Sequence, residues 1–161
     1  MAVLPIVTGE KNPVLRKKAA KIQKISKEIT KLIKDMEQTV QDAEGVGLAA
    51  PQVGESLRLC IVMLSGKRTP LINPEITWRS KEMDTMEEGC LSLPGVWLPI
   101  ARPASVTFIY LDEKERQQER KVQGFESHVV QHEIDHLNGV LIVDYPQIPA
   151  EHPAHTVESV L

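Results

Sequence analysis

Two histidines near the end of the chain have the spacing of a metal site. Residues 131–139 are Gln-His-Glu-Ile-Asp-His-Leu-Asn-Gly. On a helix, His132 and His136 lie on one face about one turn apart, so both imidazoles can bind one ion with Glu133 beside them. A catalytic ion of the zinc type takes three protein ligands and leaves a position for water. The spacing therefore predicts a metal centre whose third ligand comes from elsewhere.

The third ligand has few candidates. His128 lies on the same helical stripe, but at ~1.5 Å rise per residue it is about 12 Å from His136, too far to share an ion. Ile142 occupies the position where a zinc-protease pattern would place a downstream histidine. Cys90, which follows a glycine among polar residues, is the best candidate. Cys60 lies in an apolar run and is interpreted as a small buried residue.

A third segment, residues 45–52, is Gly-Val-Gly-Leu-Ala-Ala-Pro-Gln. Its small residues allow the backbone to approach a ligand closely. The Lys-Ser/Thr pair of a phosphate-binding loop does not follow, which disfavours that function. Gln52 could donate its side-chain amide to a polarised oxygen, or it could cap the loop.

The elements that must position these residues follow from periodicity. Helical spacing of apolar residues predicts one helix over about 26–43 and a second, carrying the histidines, over about 124–138. β-Branched and apolar residues predict strands over 57–64 and 105–111, with a short extended piece around Leu71 and Ile72. A turn over 112–115 then predicts a more polar strand over 117–123. Helix, strands and helix in this order indicate an α+β fold on a mostly antiparallel sheet. We predict one domain over 1–145 and a short proline-rich tail over 146–161.

Composition excludes several classes of protein. The chain has 161 residues, 42% hydrophobic and 25% charged, as expected for one globular domain. A net charge of −3 argues against a surface built to grip nucleic acid. The longest apolar run, residues 59–64, is too short to cross a bilayer. No secretion signal is visible, so we expect a cytoplasmic protein with reduced thiols and no membrane partner.

The three segments together resemble the signature motifs of the peptide deformylases. That family's pattern is Gly-Φ-Gly-Φ-Ala-Ala-x-Gln, Glu-Gly-Cys-Φ-Ser and Gln-His-Glu-x-Asp-His-Leu, where Φ is apolar. Residues 45–52, 88–92 and 131–137 match all three, in the family's order and at similar separations. The resemblance covers most of the chain, from about Ser26 to Tyr145. It implies mostly antiparallel sheets packed around a central helix that carries the His-Glu-x-x-His motif.

The resemblance also implies the chemistry. Cys90, His132 and His136 would bind one divalent metal ion, Fe²⁺ in the cell, with Zn²⁺, Ni²⁺ or Co²⁺ possible in the purified protein. Glu133 would act as general acid and base, and Gln52 with the Leu91 N–H as donors to the oxyanion. The implied reaction is hydrolysis of the N-formyl group from nascent polypeptides that begin with formyl-methionine, releasing formate.

Residues around these motifs have expected roles in substrate binding and support. Asp135 and Gln131 are expected to support the histidine ligands, which usually give their second N–H to a carboxylate or carbonyl. His128 falls where relatives commonly have an apolar residue of the methionine pocket, so it either makes the pocket more polar or faces solvent. The expected substrate-binding residues are Val46, Gly47, Met86, Gly89, Phe125 and Val129. An ordinary role in the hydrophobic core is an equal alternative for Val46, Met86, Phe125 and Val129.

Partners and alternative functions complete the expectations. The substrate is a formyl-methionyl nascent peptide, and we expect a monomer with no direct nucleic-acid contact. Many family members carry a long basic C-terminal helix thought to help ribosome docking, whereas this chain has the short tail, which leaves a ribosome contact in question. The alternatives are a metallopeptidase that cleaves internal peptide bonds and a structural zinc module, which would need a fourth protein ligand.

Overall fold

A computed structural model describes residues 1–148 and 160–161 of the chain. Within these residues the α-helices are α1 (Pro13–Arg16), α2 (Lys27–Asp42) and α3 (Phe125–Leu137). The strands are β1 (Gly47–Ala49), β2 (Leu59–Leu64), β3 (Lys67–Arg79), β4 (Met83–Cys90), β5 (Leu93–Pro103), β6 (Ser105–Leu111) and β7 (Gln117–Gln123). Short 3₁₀ helices cover Ala50–Val53 and Ile142–Asp144.

The strands form two antiparallel sheets. Five strands pair in the order β1-β2-β3-β6-β7, and β4 pairs with β5 in a separate hairpin. Helix α3 packs against β1, β2, β5 and β7, which places it between the two sheets. The α+β prediction, with mostly antiparallel sheets around a central motif-bearing helix, is confirmed.

Helix α2 and three strands follow the predicted pattern. The Ser26 side chain caps α2 by accepting a hydrogen bond from the Ile29 N–H at 3.3 Å, which satisfies one free donor of the first turn. The buried side chains of α2, Ile33, Met36 and Val40 among them, recur at helical spacing and face the core. Strands β2, β6 and β7 lie within the ranges predicted for them.

Strand β3 is longer than the short extended piece expected around Leu71 and Ile72. Pro70 lies in the part of β3 that pairs with β2, before pairing with β6 begins at Ile72. Its missing N–H therefore leaves the second ladder intact. A register shift follows between Ile72 and Glu75 and accommodates Pro74, with Asn73 at a positive φ of 51°.

The β4–β5 hairpin was not predicted as a pair of strands. Its sequence is rich in acidic residues, glycine and proline, all of which are depleted in strands. Cys90 lies at the end of β4, where it pairs with Leu93 across the tight connection. The hairpin thus brings one motif to the side of α3.

Helix α3 is buried over most of its length despite its polar sequence. Ser127, Gln131 and Glu133 are each at most 6% exposed, as are the histidines at 128, 132 and 136. Buried polar groups need hydrogen-bond partners or a ligand, so the surroundings of α3 decide the chemistry.

The boundaries of the predicted tail stay a prediction. Residues 149–159 of the segment 146–161 lie outside the described residues, whereas Val160 and Leu161 are described. Among the described helices, none has the length and apolar character needed to span a membrane.

Candidate metal centre

Three potential ligands from distant parts of the chain converge beside α3. Cys90, His132 and His136 are 3%, 2% and 1% exposed, and their ligating atoms all lie within 4.8 Å of one another. The Cys90 Sγ is 3.3 Å from the His136 Nε2. The end of β4 supplies the sulfur and one face of α3 supplies both rings. The structure therefore brings together the three residues singled out by spacing and resemblance.

The protonation of His132 suits a metal ligand. Its Nδ1 lies 3.0 Å from the Glu88 carboxylate, a geometry in which Nδ1 carries the proton and donates it. Its Nε2 is buried and has no hydrogen-bond partner among the described residues. An unpartnered buried nitrogen is costly unless a ligand satisfies it. One thiolate with two imidazoles suits Zn²⁺, Fe²⁺, Co²⁺ or Ni²⁺, so the residues fit a divalent ion.

Glu88 holds this centre in place. Its carboxylate accepts hydrogen bonds from Arg102 Nε and Nη2 at 2.7 and 2.9 Å, from His128 at 2.6 Å and from His132. Burial alone would raise the pKa of Glu88, but the hydrogen bonds from Arg102, His128 and His132 outweigh it and hold that pKa well below its ordinary value. A buried carboxylate fixed by four donors orients the His132 ring.

The expected support from Asp135 and Gln131 is not observed, because both side chains have other partners. Asp135 accepts hydrogen bonds from Arg102 and Tyr145, and Gln131 donates to the Pro103 carbonyl and the Ser127 hydroxyl. The sequence does carry a signal for Glu88. It precedes Cys90 by two residues, and residues i and i+2 of a strand lie on the same face.

His128 does not face solvent, so that interpretation is wrong. The side chain is fully buried, with Nδ1 on Glu88 and Nε2 3.1 Å from the Asp84 carbonyl oxygen. It links α3 to β4 through the same carboxylate that orients His132.

Glu133 is a buried carboxylate next to the convergent ligands. Neither of its oxygens has a hydrogen-bond partner among the residues that the structure describes. Burial raises the pKa of Glu133 to about 7. A Cβ added at Gly47 would overlap this carboxylate, so β1 approaches α3 closely at that point. A carboxyl group that titrates near neutrality is suited to general acid and base catalysis.

Gln52 and Leu91 border the same site. The Gln52 Oε1 accepts a hydrogen bond from the Ala49 N–H at 2.9 Å, which caps the loop. Its Nε2 donates to the Ser92 hydroxyl at 3.1 Å and lies 3.8 Å from the Cys90 sulfur. The Leu91 N–H donates to the main-chain oxygen of Leu161 at 3.2 Å. The Gln52 amide therefore serves the loop and borders the centre at once.

The expected substrate-binding residues divide by location. Val129 belongs to a buried hydrophobic cluster against which Val46 and Phe125 pack. Gly89 lines a cavity of about 160 Å³ beside Cys90 and Trp97. Met86 is half-buried on β4, opposite Ile100, and Gly47 lies against Glu133.

The site combines one thiol and two imidazoles with a carboxyl group whose pKa is about 7. This combination defines the active centre of a metal-dependent hydrolase. Comparison with known proteins then gives the family. The polypeptide deformylase family model matches residues 3–150. A peptide deformylase from Prochlorococcus marinus is 46% identical over 138 residues, covering 83% of this chain and 68% of that protein.

Solved structures agree with the sequence comparison. The crystal structure of a peptide deformylase from Thermotoga maritima has a TM-score of 0.88 and 38% identity, and covers 92% of this chain and all of that one. A class I type b peptide deformylase from Acinetobacter baumannii bound to Met-Ala-Ser has a TM-score of 0.86 and 35% identity. The match covers 90% of this chain and 99% of that one. The chain belongs to the polypeptide deformylase family.

The activity follows from the family. Peptide deformylases are metalloenzymes that remove the N-formyl group from nascent polypeptides and act on formyl-methionyl peptides, and this chain is such an enzyme. The deformylase interpretation is supported over that of a metallopeptidase acting on internal bonds.

Proposed function

We propose that this chain hydrolyses the formyl amide of its substrate at the site formed by Cys90, His132 and His136. These three residues would hold a single divalent ion. The observation that carries this proposal is the convergence of three buried donor atoms within 4.8 Å, with the His132 Nε2 otherwise unpartnered among the described residues. When bound, the ion supplies Lewis-acid activation of water at neutral pH. We propose Fe²⁺ as the ion in the cell, following the family resemblance, with Zn²⁺, Ni²⁺ or Co²⁺ able to replace it in the purified protein.

Glu133 is proposed to move the proton. A carboxylate oxygen of Glu133 takes a proton from the attacking water and later passes it to the departing amine. Its burial and its pKa of about 7 support both halves of this cycle, because the group exchanges protons readily near neutral pH.

Gln52 and Leu91 are proposed to stabilise the oxyanion that forms on the formyl carbon. The Gln52 Nε2 lies close to the Cys90 sulfur, and its Oε1 is anchored by Ala49, so the amide is held in one orientation. The Leu91 N–H supplies a second donor from the backbone. A donor aimed at such an oxyanion is typically worth ~10²–10³ in rate.

Substrate binding is proposed to use the apolar residues beside the centre. Val46, Phe125 and Val129 would enclose the methionine side chain, with Met86 at the edge of the pocket. Gly47 and Gly89 would let the peptide backbone lie close to the protein.

The wider setting is part of the same proposal. Residues 1–145 form one catalytic domain with a tail over 146–161, and the enzyme acts as a monomer in the cytoplasm, where formyl-methionyl chains are made. The net charge of −3 supports the absence of a direct nucleic-acid partner. Co-sedimentation with ribosomes that carry nascent chains would test whether the enzyme docks there.

One assay tests the reaction and its metal. Enzyme isolated anaerobically is analysed for metal and mixed with formyl-Met-Ala-Ser, and formate release is compared with cleavage of unformylated Met-Ala-Ser. We expect one equivalent of Fe²⁺ and release of formate without cleavage of internal bonds. Internal cleavage without formate would contradict the proposed reaction, and a metal-free active enzyme would contradict the proposed centre.

A further inference from the structure

The last two residues of the sequence lie in the groove beside the metal centre. The Leu161 N–H donates to the Gly89 carbonyl at 3.1 Å, and the Leu161 main-chain oxygen accepts from the Leu91 N–H at 3.2 Å. On the other side, the Val160 carbonyl accepts from the Val46 N–H at 3.2 Å. The segment Val160–Leu161 is thus held by backbone hydrogen bonds between the end of β4 and Val46, which precedes β1, as a peptide added to a sheet edge would be.

Its side chains occupy the region proposed for the substrate. Leu161 is fully buried in the hydrophobic cluster that contains Val129, with Val46 and Phe125 packed against that cluster. Val160 lines the cavity beside Cys90 and Trp97. Leucine and methionine are both apolar and of similar volume, so one pocket can take either.

The same backbone groups cannot serve this segment and a peptide substrate together. The Leu91 N–H, proposed above as an oxyanion donor, is engaged by Leu161. We propose that Val160–Leu161 is an autoinhibitory segment, which occupies the groove in competition with the formyl-methionyl peptide. This inference rests on the proposed function of the pocket.

Competition from within one chain has a specific kinetic form. The effective concentration of a tethered competitor does not depend on enzyme concentration. The apparent affinity for substrate equals the intrinsic affinity multiplied by the fraction of molecules whose groove is open. The segment therefore raises KM and leaves kcat unchanged at saturating substrate. A purely structural role of Leu161 would instead change stability and leave KM unaltered.

The matched variants are Leu161→Asp and Leu161→Met in the full, metal-loaded chain. The aspartate substitution would place a charge where an apolar side chain is buried, whereas the methionine substitution keeps the apolar contact. We expect Leu161→Asp to lower KM for formyl-Met-Ala-Ser about threefold or more with unchanged kcat, and Leu161→Met to behave like the parent chain. An unchanged or higher KM in Leu161→Asp, with its melting temperature retained, overturns the proposal.

A second measurement does not depend on the variant folding. The methyl groups of Leu161 are isotopically labelled in the parent chain and followed by NMR while the product peptide Met-Ala-Ser is added. We expect their signals to move to exposed positions as the Val46 and Leu91 amides report bound peptide. Leu161 signals that stay unchanged while those amides shift overturn the proposal. A KM that rises with enzyme concentration also overturns it, because the competitor would then be a second copy.

Failure of the proposed function has a different outcome. If the parent chain and both variants release no formate, the reaction itself is wrong and the inference falls with it. Formate release with the same KM in all three chains leaves the reaction intact and refutes only the autoinhibitory segment.

Discussion

Glu133 shows how burial sets the chemistry of one residue. Its carboxylate lacks partners among the described residues, and burial raises its pKa to about 7. Replacing Glu133 by Gln keeps the size of the side chain and removes the carboxyl group proposed to transfer the proton. We expect turnover to fall by ~10²–10⁴-fold. Formate release and metal content are measured together, and metal content should be unchanged because Glu133 is outside the donor set. Near-normal turnover would remove Glu133 from the mechanism.

Glu88 has a role that the spacing of the motifs does not reveal. Glu88→Gln replaces a carboxylate that accepts from Arg102, His128 and His132 by a neutral amide, so the His132 ring loses its charged partner. We expect a loss of ~10–100-fold in metal affinity, measured by competition with a chelator.

Asp135→Asn is the matched control for Glu88→Gln. Asp135 also bonds Arg102, but no hydrogen bond between its side chain and a ligand ring is observed among the described residues. We expect the Asp135→Asn substitution to lower metal affinity less than Glu88→Gln does. Equal losses in the two variants would contradict a specific role for Glu88 in orienting His132.

The convergence of residues was predictable where it depends on local spacing. Helical geometry alone places His132 and His136 on one face, and the need for a third ligand pointed to Cys90, whose sulfur lies beside them. Glu88 required knowledge of the β4–β5 hairpin, because Arg102 is on β5 and reaches it across the strand pair. The solvent-facing interpretation of His128 failed for the same reason, since its partners are both on β4.

At the scale of elements, apolar periodicity predicted α2, α3 and β6, a continuous apolar run predicted β2, and the turn after β6 predicted the more polar β7. The β4–β5 hairpin lacks a regular apolar pattern. Backbone pairing and the buried Glu88–Arg102 ion pair hold its two strands together, and neither can be recognised from a short stretch of sequence. The length of β3 was underestimated because prolines normally end strands. Here Pro70 pairs with β2 at a point where pairing with β6 has not yet begun, and a bulge accommodates Pro74.

The N-terminal segment is joined to α2 through Asp35. This buried carboxylate accepts hydrogen bonds from the Lys31 ammonium and the Ala2 N–H, both at 2.8 Å. The Lys31 hydrogen bond, followed by that from Ala2, lowers the pKa of Asp35 below its ordinary 3.8. A lowered carboxyl pKa stabilises the folded state above pH 3.8, and that contribution is lost as the pH falls through the folded-state pKa.

We therefore expect Asp35→Asn to lower the melting temperature at pH 7, with the difference from the parent chain narrowing as the pH falls below about 3.8. Thermal unfolding at a series of pH values measures this. Asp42→Asn, at the exposed end of the same helix, serves as the control and should leave the melting temperature unchanged at every pH in the series. A constant difference between Asp35→Asn and the parent chain at all pH values would refute the electrostatic link.

At the scale of the whole molecule, α3 joins the two sheets. Its apolar residues pack with the five-stranded sheet, whereas its histidines face the β4–β5 hairpin through Glu88 and Cys90. Cys90 packs with Leu93, Ile100, Leu141 and Ile142 in a smaller core of its own. An ion shared by Cys90 and α3 would therefore connect this small core to the main one.

Removing the metal should loosen that connection. A ligand that binds only the folded state stabilises it by about 2.7 kcal/mol when its free concentration is 100 times its Kd, so the chelated protein should unfold at a lower temperature. Hydrogen exchange of the chelated protein should quicken first at the backbone amides of β4 and β5, because the ion is the contact that the hairpin loses. Cys90→Ala, which lacks one of the three proposed ligands, is the control: its melting temperature should change less on chelation. If chelation shifts the parent chain and Cys90→Ala equally, the stabilising ion is bound somewhere other than at this centre.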